Sequence, residues 1–363
     1  MSQQTSFPFV FMRGGTSRGP YMRRTDLPVD LDELSKVLIS LVGSGQSLNI
    51  DGIGGGNAVT TKVAMLSQSD DPWADVDYFF AQVSVDDQTV DYKPTCGNIL
   101  SGVGPAAIEM GLVQATDGVT EIKIKAVNTG ARVIAKVQTP DRNVSYFGDA
   151  TIDGVPGTSS PIELLFLDVA GSSTGKLFPT GAMTDRIGGI DVTCMDLAMP
   201  MVIARADSFG LTGNESVEQL NGNTEFFSTM EQIRIEAGDL MGMGDVTQSV
   251  TPKFGLLAAH QTTGHIICRY FMPWKTHPSL AVTGSQCLAS CALAPGTVAD
   301  DLMDAPKERP SRITLHHPMG TMDVLVDYEI TADGAFIHHS AGLIRTARKL
   351  ASGEVFAHIP VKE

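Results

Sequence analysis

Cys96-Gly97-Asn98-Ile99-Leu100-Ser101-Gly102-Val103-Gly104-Pro105-Ala106-Ala107-Ile108-Glu109-Met110 carries a single acid in a run of small and aliphatic residues. A helix without a polar face belongs inside a core, so residues 98–110 are predicted to form a buried helix. A second nearly all-apolar run, residues 278–293, predicts another, with Pro278 as its first helical residue. Around the first run lie β-type segments at residues 7–12, 76–83, 120–126, 133–137 and 144–148. Around the second lie segments at 190–196, 201–205, 265–271, 312–315, 321–329 and 335–339. Asp117-Gly118, Asp153-Gly154 and Asp333-Gly334 mark turns. The plan is two halves, each wrapping strands around one central apolar helix.

The remaining segments are helical in pattern. Residues 31–41 read as an amphipathic helix capped by Asp30, and residues 345–350 as part of a C-terminal helix. Residues 215–238 read as a helical insertion. The expected domains are residues 1–184 and 185–345, with a tail, 346–363, that can pack back on the first. The repeat is weak in identity: setting Cys96 over Lys275 puts Asn98 over His277 and Val103 over Val282.

A chain of 363 residues is long for a single core, and 42% hydrophobic with 18% charged residues is a globular composition. The net charge of −15 and the lack of any Lys/Arg-rich run argue against nucleic acid or an anionic membrane as partner. Five cysteines without framework spacing read as reduced thiols of a cytoplasmic protein. The N-terminal run lacks a basic n-region and a long h-region, so no signal peptide is expected, and no apolar stretch reaches membrane-spanning length.

Four stretches offer chemistry. Arg13-Gly14-Gly15-Thr16-Ser17-Arg18 follows a strand and combines two guanidinium groups, two hydroxyls and a flexible backbone, the parts of a carboxylate site. A hairpin turn with surface arginines fits the same letters. In Asp51-Gly52-Ile53-Gly54-Gly55-Gly56-Asn57-Ala58-Val59-Thr60-Thr61-Lys62, one amine follows a glycine-dense loop and opens an apolar strand. Desolvation favours the neutral form of a lysine, which can take a proton. Lys62 is thus a candidate proton-transfer group, although a solvent-facing strand lysine has the same pattern. Cys96-Gly97-Asn98 stands at a predicted helix start, where exposed N–H groups favour anions and thiolates. A buried structural cysteine is the alternative. Lys275-Thr276-His277-Pro278-Ser279, with Thr283-Gly284 beyond, puts a second amine and an imidazole before the other buried helix. His316-His317 and His338-His339 are adjacent pairs that point to opposite faces of a strand, so no metal is expected.

Taken together, Met-Arg-Gly-Gly-Thr-Ser at 12–17, Asp-Gly-Ile-Gly-Gly at 51–55, Thr-Lys-Val-Ala at 61–64 and Cys-Gly-Asn-Ile at 96–99 resemble the PrpF family. So do Gly-Asp-Ala at 148–150, Ile-Asp-Gly-Val-Pro-Gly at 152–157, Asp-Val-Ala-Gly-Ser-Ser at 168–173 and Arg-Thr-Ala-Arg at 345–348. The resemblance implies an α+β, diaminopimelate-epimerase-like fold, two similar domains each a curved, mostly antiparallel sheet around a central helix. It implies an isomerase of an unsaturated tricarboxylate that works without metal or organic cofactor. The 4-oxalomesaconate branch of aromatic-compound and lignin degradation fits best, as Δ-isomerase or as keto–enol tautomerase. Isomerisation of 2-methylaconitate or aconitate is the family alternative, and a non-catalytic tricarboxylate-binding protein the alternative outside enzymes. The family's catalytic lysine matches Lys62, its cysteine position Cys96, and a second lysine Lys275. Candidate substrate contacts are Arg13, Thr16, Ser17, Arg18, Gly55, Gly97, Asn98, Ser101, His277, Ser279, Thr283 and Gly284. Arg18 departs from the lysine common in the family but keeps the charge. A homodimer is compatible with this reading.

Overall fold

The computed structural model describes residues 4–358, so expectations for residues 1–3 and 359–363 lie outside the described residues. Contacts divide the chain into unit 1, up to Leu165 and again from Ile344, and unit 2, Phe166–Leu343. The first division precedes residue 184 because the intervening loop is tied to unit 2. Gly171 N donates to the Asp196 carbonyl (2.7 Å), and Thr174 N to the Asp196 carboxylate (2.6 Å).

Unit 1 contains β1 (Gln4–Gly14), β2 (Ser17–Arg23), α1 (Leu31–Val42), β3 (Lys62–Gln68), β4 (Val76–Val83), β5 (Val90–Asp91), α2 (Gly97–Leu100), α3 (Val103–Glu109), β6 (Gly118–Ala126) and β7 (Arg132–Thr139). It also takes most of β8 (Pro161–Leu167). Unit 2 contains β9 (Asp185–Ile187), β10 (Ile190–Asp196), β11 (Pro200–Arg205), α4 (Val217–Asn221), α5 (Thr224–Leu240), β12 (Lys253–Ala259), β13 (His265–Phe271), α6 (Val282–Cys291), β14 (Ser311–His317) and β15 (Gly320–Ile330). β16 (Phe336–His358) begins in unit 2, pairing with β15, and ends in unit 1, pairing with β1.

The two units repeat one pairing order. In unit 1, β16–β1 and β1–β2 are antiparallel, β2–β3 parallel, β3–β4 antiparallel, β4–β6 parallel and β6–β7 antiparallel. In unit 2, β9–β10 and β10–β11 are antiparallel, β11–β12 parallel, β12–β13 antiparallel, β13–β14 parallel and β14–β15 antiparallel. Parallel neighbours need a crossover, and helices supply it: α1 before β3, α4–α5 before β12, α2–α3 before β6 and α6 before β14. Residues 215–238 are therefore no insertion; they hold the counterpart of α1.

Strands β3, β11 and β12 are covered on both faces and read as apolar runs, whereas β6, β7 and β14 alternate between buried and more exposed positions. In unit 2, Ile203 and Leu257 join a core with Cys287 and Leu288 of α6, while Val202, Ala204 and Leu256 join one with Phe226, Met230 and Ile233 of α5. In unit 1, Leu34, Leu38 and Leu41 of α1 pack with Met22, Val63 and Met65. Each such buried aliphatic contributes roughly 1.5–3 kcal/mol. Asp30 caps α1, accepting from Asp32 N and Glu33 N at 3.0 Å, and Gly43 ends it with φ of 77°.

Some local expectations change. Residues 345–350 lie in β16, where Arg13 pairs with Arg348 and Met12 with Lys349; cross-strand pairing overrides the helix propensity of Arg-Lys-Leu-Ala. The helix expected over 278–293 begins at Val282, because Phe271 bridges Thr276 and Ser279 N donates to His277 Nδ1 (2.9 Å), holding the approach open. Residues 98–110 form two helices, α2 and α3. Residues 144–148 form no strand; the chain leaves β7 through a turn in which Asp141 has φ of 53°. Among the described residues no helix is long and apolar enough to cross a membrane.

Candidate active site

Unit 1 places the arginine turn, the glycine-dense loop and the Cys96 segment around one another. β1 ends at Arg13-Gly14 and β2 leaves at Ser17. Gly15 has φ of 51°, and a Cβ there would come within 2.2 Å of Asn98 Oδ1, so glycine lets the turn lie against α2. Thr16 N donates to that oxygen at 3.3 Å. Asn98 thus braces the turn. Ser101 spends its hydroxyl on the Asn98 carbonyl (2.5 Å), while Gly97 faces open space.

A cleft of about 520 Å³ in unit 1 is lined by Arg13, Arg18, Arg348, Ser17, Thr60 and Tyr146, among others, with no acid among the described residues of its wall. Arg13 is half-buried and gives its hydrogen bonds to neutral oxygens. Nη1 reaches the carbonyls of Gly15 (2.9 Å) and Thr346 (3.0 Å), and Nη2 the Ser159 hydroxyl (3.3 Å). Burial, then the neighbouring Arg348, lowers its pKa. Arg345 nearby in the chain is likewise lowered by burial, partly offset by Asp153. Arg18 lies 5.6 Å over the Phe11 ring, and a Cβ on Gly55 would stand 2.8 Å from its Nη2. The buried Ser17 Oγ has no hydrogen-bond partner among the described residues. Concentrated guanidinium charge without carboxylates suits a polyanion.

Lys62 is the half-buried first residue of β3, two positions beyond Thr60 of the cleft wall. Its Nζ donates to Gln82 Oε1 (2.6 Å) and lies 5.3 Å from the Phe80 ring centre. The Gln82 amide is itself anchored on the carbonyls of Ala58 (3.2 Å), Thr61 (3.3 Å) and Val83 (3.2 Å), so it orients the amine. Gln82 was not among the sequence candidates; it emerges only from the register that sets it opposite Lys62.

Cys96 is the N-cap residue of α2, half-buried, and its carbonyl accepts from Tyr78 Oη (3.3 Å). α2 is one turn long, so little helix dipole stands behind the thiol. Burial, reinforced by Cys96, pushes the Tyr21 and Tyr78 phenols well up, and they stay protonated donors.

In unit 2, Lys275 is exposed in the turn after β13, beside a cavity of about 560 Å³ also lined by Trp274 and Glu231. It lies outside the helix mouth where the sequence placed it. His277 is half-buried, and burial, then Lys253, lowers its pKa. Ser279 Oγ lies 3.3 Å from His317 Nε2, Thr283 is in the first turn of α6, and Gly284 packs where a Cβ would come within 2.2 Å of Tyr270.

The repeat brings forward a residue missed in the sequence. Lys253 opens β12 as Lys62 opens β3, and both strands go from a half-buried lysine into four buried residues. Ala64 pairs with Phe80 and Gly255 with Tyr270, so the registers agree. Burial, then Arg234, lowers the Lys253 pKa. The signal was Lys-Val-Ala-Met-Leu against Lys-Phe-Gly-Leu-Leu, too degenerate to align without strand order.

An α+β fold of two like units, one holding an arginine-lined cleft beside a strand-opening lysine, defines a class of anion-handling proteins rather than one activity. Residues 4–358 match the family model "PrpF protein", and the chain belongs to that family. It is 47% identical to "Putative isomerase YbhH" of Escherichia coli (strain K12) over 96% of this chain and 98% of that one. It is 43% identical to "(4E)-oxalomesaconate Delta-isomerase" of Novosphingobium sp. (strain KA1), covering 97% of each. The crystal structure of methylitaconate-delta-isomerase superposes with a TM-score of 0.88 at 34% identity, covering 98% of this chain and 97% of that one.

Proposed function

We propose that this protein is an isomerase that moves a double bond within an unsaturated tricarboxylate, with 4-oxalomesaconate, an intermediate of aromatic-compound breakdown, as substrate. The observation that carries the reading is the cleft of Arg13, Arg18 and Arg348, with no acid among the described residues of its wall and with Lys62 two residues along the chain from Thr60 in that wall. The relatives' names support the reaction type and the substrate.

In this mechanism the carboxylates are held by the arginines, by the Ser17 hydroxyl and by the backbone of the Gly14–Thr16 turn. The Lys62 amine takes a proton from the carbon activated by the conjugated carbonyl. The electron pair left behind spreads into a dienolate, whose charge must be met where it develops. A proton is then returned two carbons away, so composition is unchanged. Gln82 holds the amine in line, and Cys96 flanks the reacting carbons.

The test is proton NMR in deuterated buffer with 4-oxalomesaconate, 2-methylaconitate and aconitate supplied side by side. Double-bond transposition in 4-oxalomesaconate with solvent label at the new C–H is expected. Tautomerisation alone would move a hydroxyl proton to carbon without shifting the skeleton and would overturn the Δ-isomerase reading. Absence of turnover and exchange with all three, despite binding, would leave a tricarboxylate-binding protein.

A further inference from the structure

Three imidazoles of unit 2 converge away from the residues assigned above. His260 lies in the turn after β12, His265 opens β13, and His316 is near the end of β14. β13 and β14 run parallel, with His265 opposite Thr314 and Ile267 opposite His316. His265 Nδ1 stands 2.9 Å from His316 Nε2, and the His260 ring stacks on His316 with centres 4.3 Å apart. One nitrogen from each ring lies within 4.8 Å of the other two, and all three residues are partly accessible. The adjacency of His316 and His317 hid this, because the partners come from other strands.

We propose that His260, His265 and His316 bind one divalent cation of the zinc class. A zinc ion holds imidazole nitrogens at about 2.0–2.1 Å, which in tetrahedral geometry sets them about 3.4 Å apart. That separation falls between the 2.9 Å contact and the 4.8 Å limit of the cluster; for three lone pairs to meet on one ion, the His260 ring has to turn out of its stack on His316 and the His265–His316 hydrogen bond has to open. An all-imidazole set selects zinc, nickel or copper over magnesium or calcium. Water fills the remaining position. Asp323, beside Thr314 through a 2.7 Å hydrogen bond, and the acidic chain as a whole favour a cation here. His260 Nδ1 now accepts from Thr262 N at 3.1 Å. Ligation through either ring nitrogen gives up that bond: Nδ1 would turn to the metal, or Nε2 would bind and leave Nδ1 protonated. The ion would brace the β12–β13 turn against β14.

The full-length protein, stripped with chelator, is titrated with zinc chloride by calorimetry, with magnesium chloride in parallel. One zinc per chain is expected, with no magnesium binding, a rise in melting temperature and a shift of the Thr262 backbone amide resonance. His316→Ala and His265→Ala should weaken binding at least about tenfold. His260→Ala, in a turn, should do the same with an unchanged circular dichroism spectrum. Absence of zinc uptake, or uptake that survives all three substitutions, would overturn the proposal.

Discussion

Unit 1 and unit 2 share a strand order and a lysine at the head of the same strand, yet they surround that lysine differently. Around Lys62 stand Gln82, which takes its hydrogen bond, and Phe80 under the amine. At the matching positions unit 2 has Met272 and Tyr270, so Lys253 has no side-chain acceptor from the neighbouring strand. Unit 1 also carries the three arginines; unit 2 offers His277 and Ser279 instead. A repeated fold supplies position, while polar neighbours decide what a lysine at that position can do.

The largest effect should come from Lys62→Met, which is expected to lower kcat about a thousandfold, the scale of a lost proton-transfer group, with folding retained. Near-normal turnover would sink the division of labour between the units. Arg348→Gln removes a cleft cation that does not knit the turn together, and should raise KM about 10–100-fold while sparing kcat. An unchanged KM would place the carboxylates elsewhere. Lys253→Met removes an amine that no side chain of the neighbouring strand holds, and should leave kcat near wild type. A collapse of kcat comparable to Lys62→Met would instead make the two strand-opening lysines equal partners.

The smallest effect concerns stability against pH. Burial lowers His338 in unit 2 to about 4, with His339 adding, and its Nε2 is buried without a hydrogen-bond partner among the described residues. The folded value lies below the unfolded one of 6.5, so the unfolded chain takes up the proton first as pH falls. Stability from the neutral ring is complete above about 6.5 and is lost toward pH 4. Urea unfolding at pH 7 and pH 4.5 should show wild type losing about 1–3 kcal/mol more than His338→Gln. Equal losses would remove His338 from the account.

Legibility in the sequence tracked how local each signal is. The helix at residues 31–41 with its Asp30 cap is legible because N-capping is decided within a few residues; the structure carries it one residue further, to Val42. The buried helices showed as apolar runs, though their ends did not, since His277 and Ser279 shape the approach to α6 through a side-chain contact. β16 was misread because Arg345-Thr346-Ala347-Arg348 favours a helix until β1, hundreds of residues away, pairs with it. A helix there would also keep Arg348 out of the cleft, although Arg-Thr-Ala-Arg at 345–348 belongs to the family pattern. Gln82, Lys253 and the three-histidine cluster depend on cross-strand register, which no single stretch encodes.

The arginine cleft has one consequence for encounter. A tricarboxylate approaching a chain of net charge −15 meets repulsion at long range and attraction only close to the three guanidinium groups. At 0.1 M salt the far field is damped beyond about 10 Å, while the near field of the partly enclosed arginines survives. Capture of the substrate should therefore quicken as ionic strength first rises, the reverse of ordinary attractive steering, and slow only when the salt begins to shield the arginines themselves.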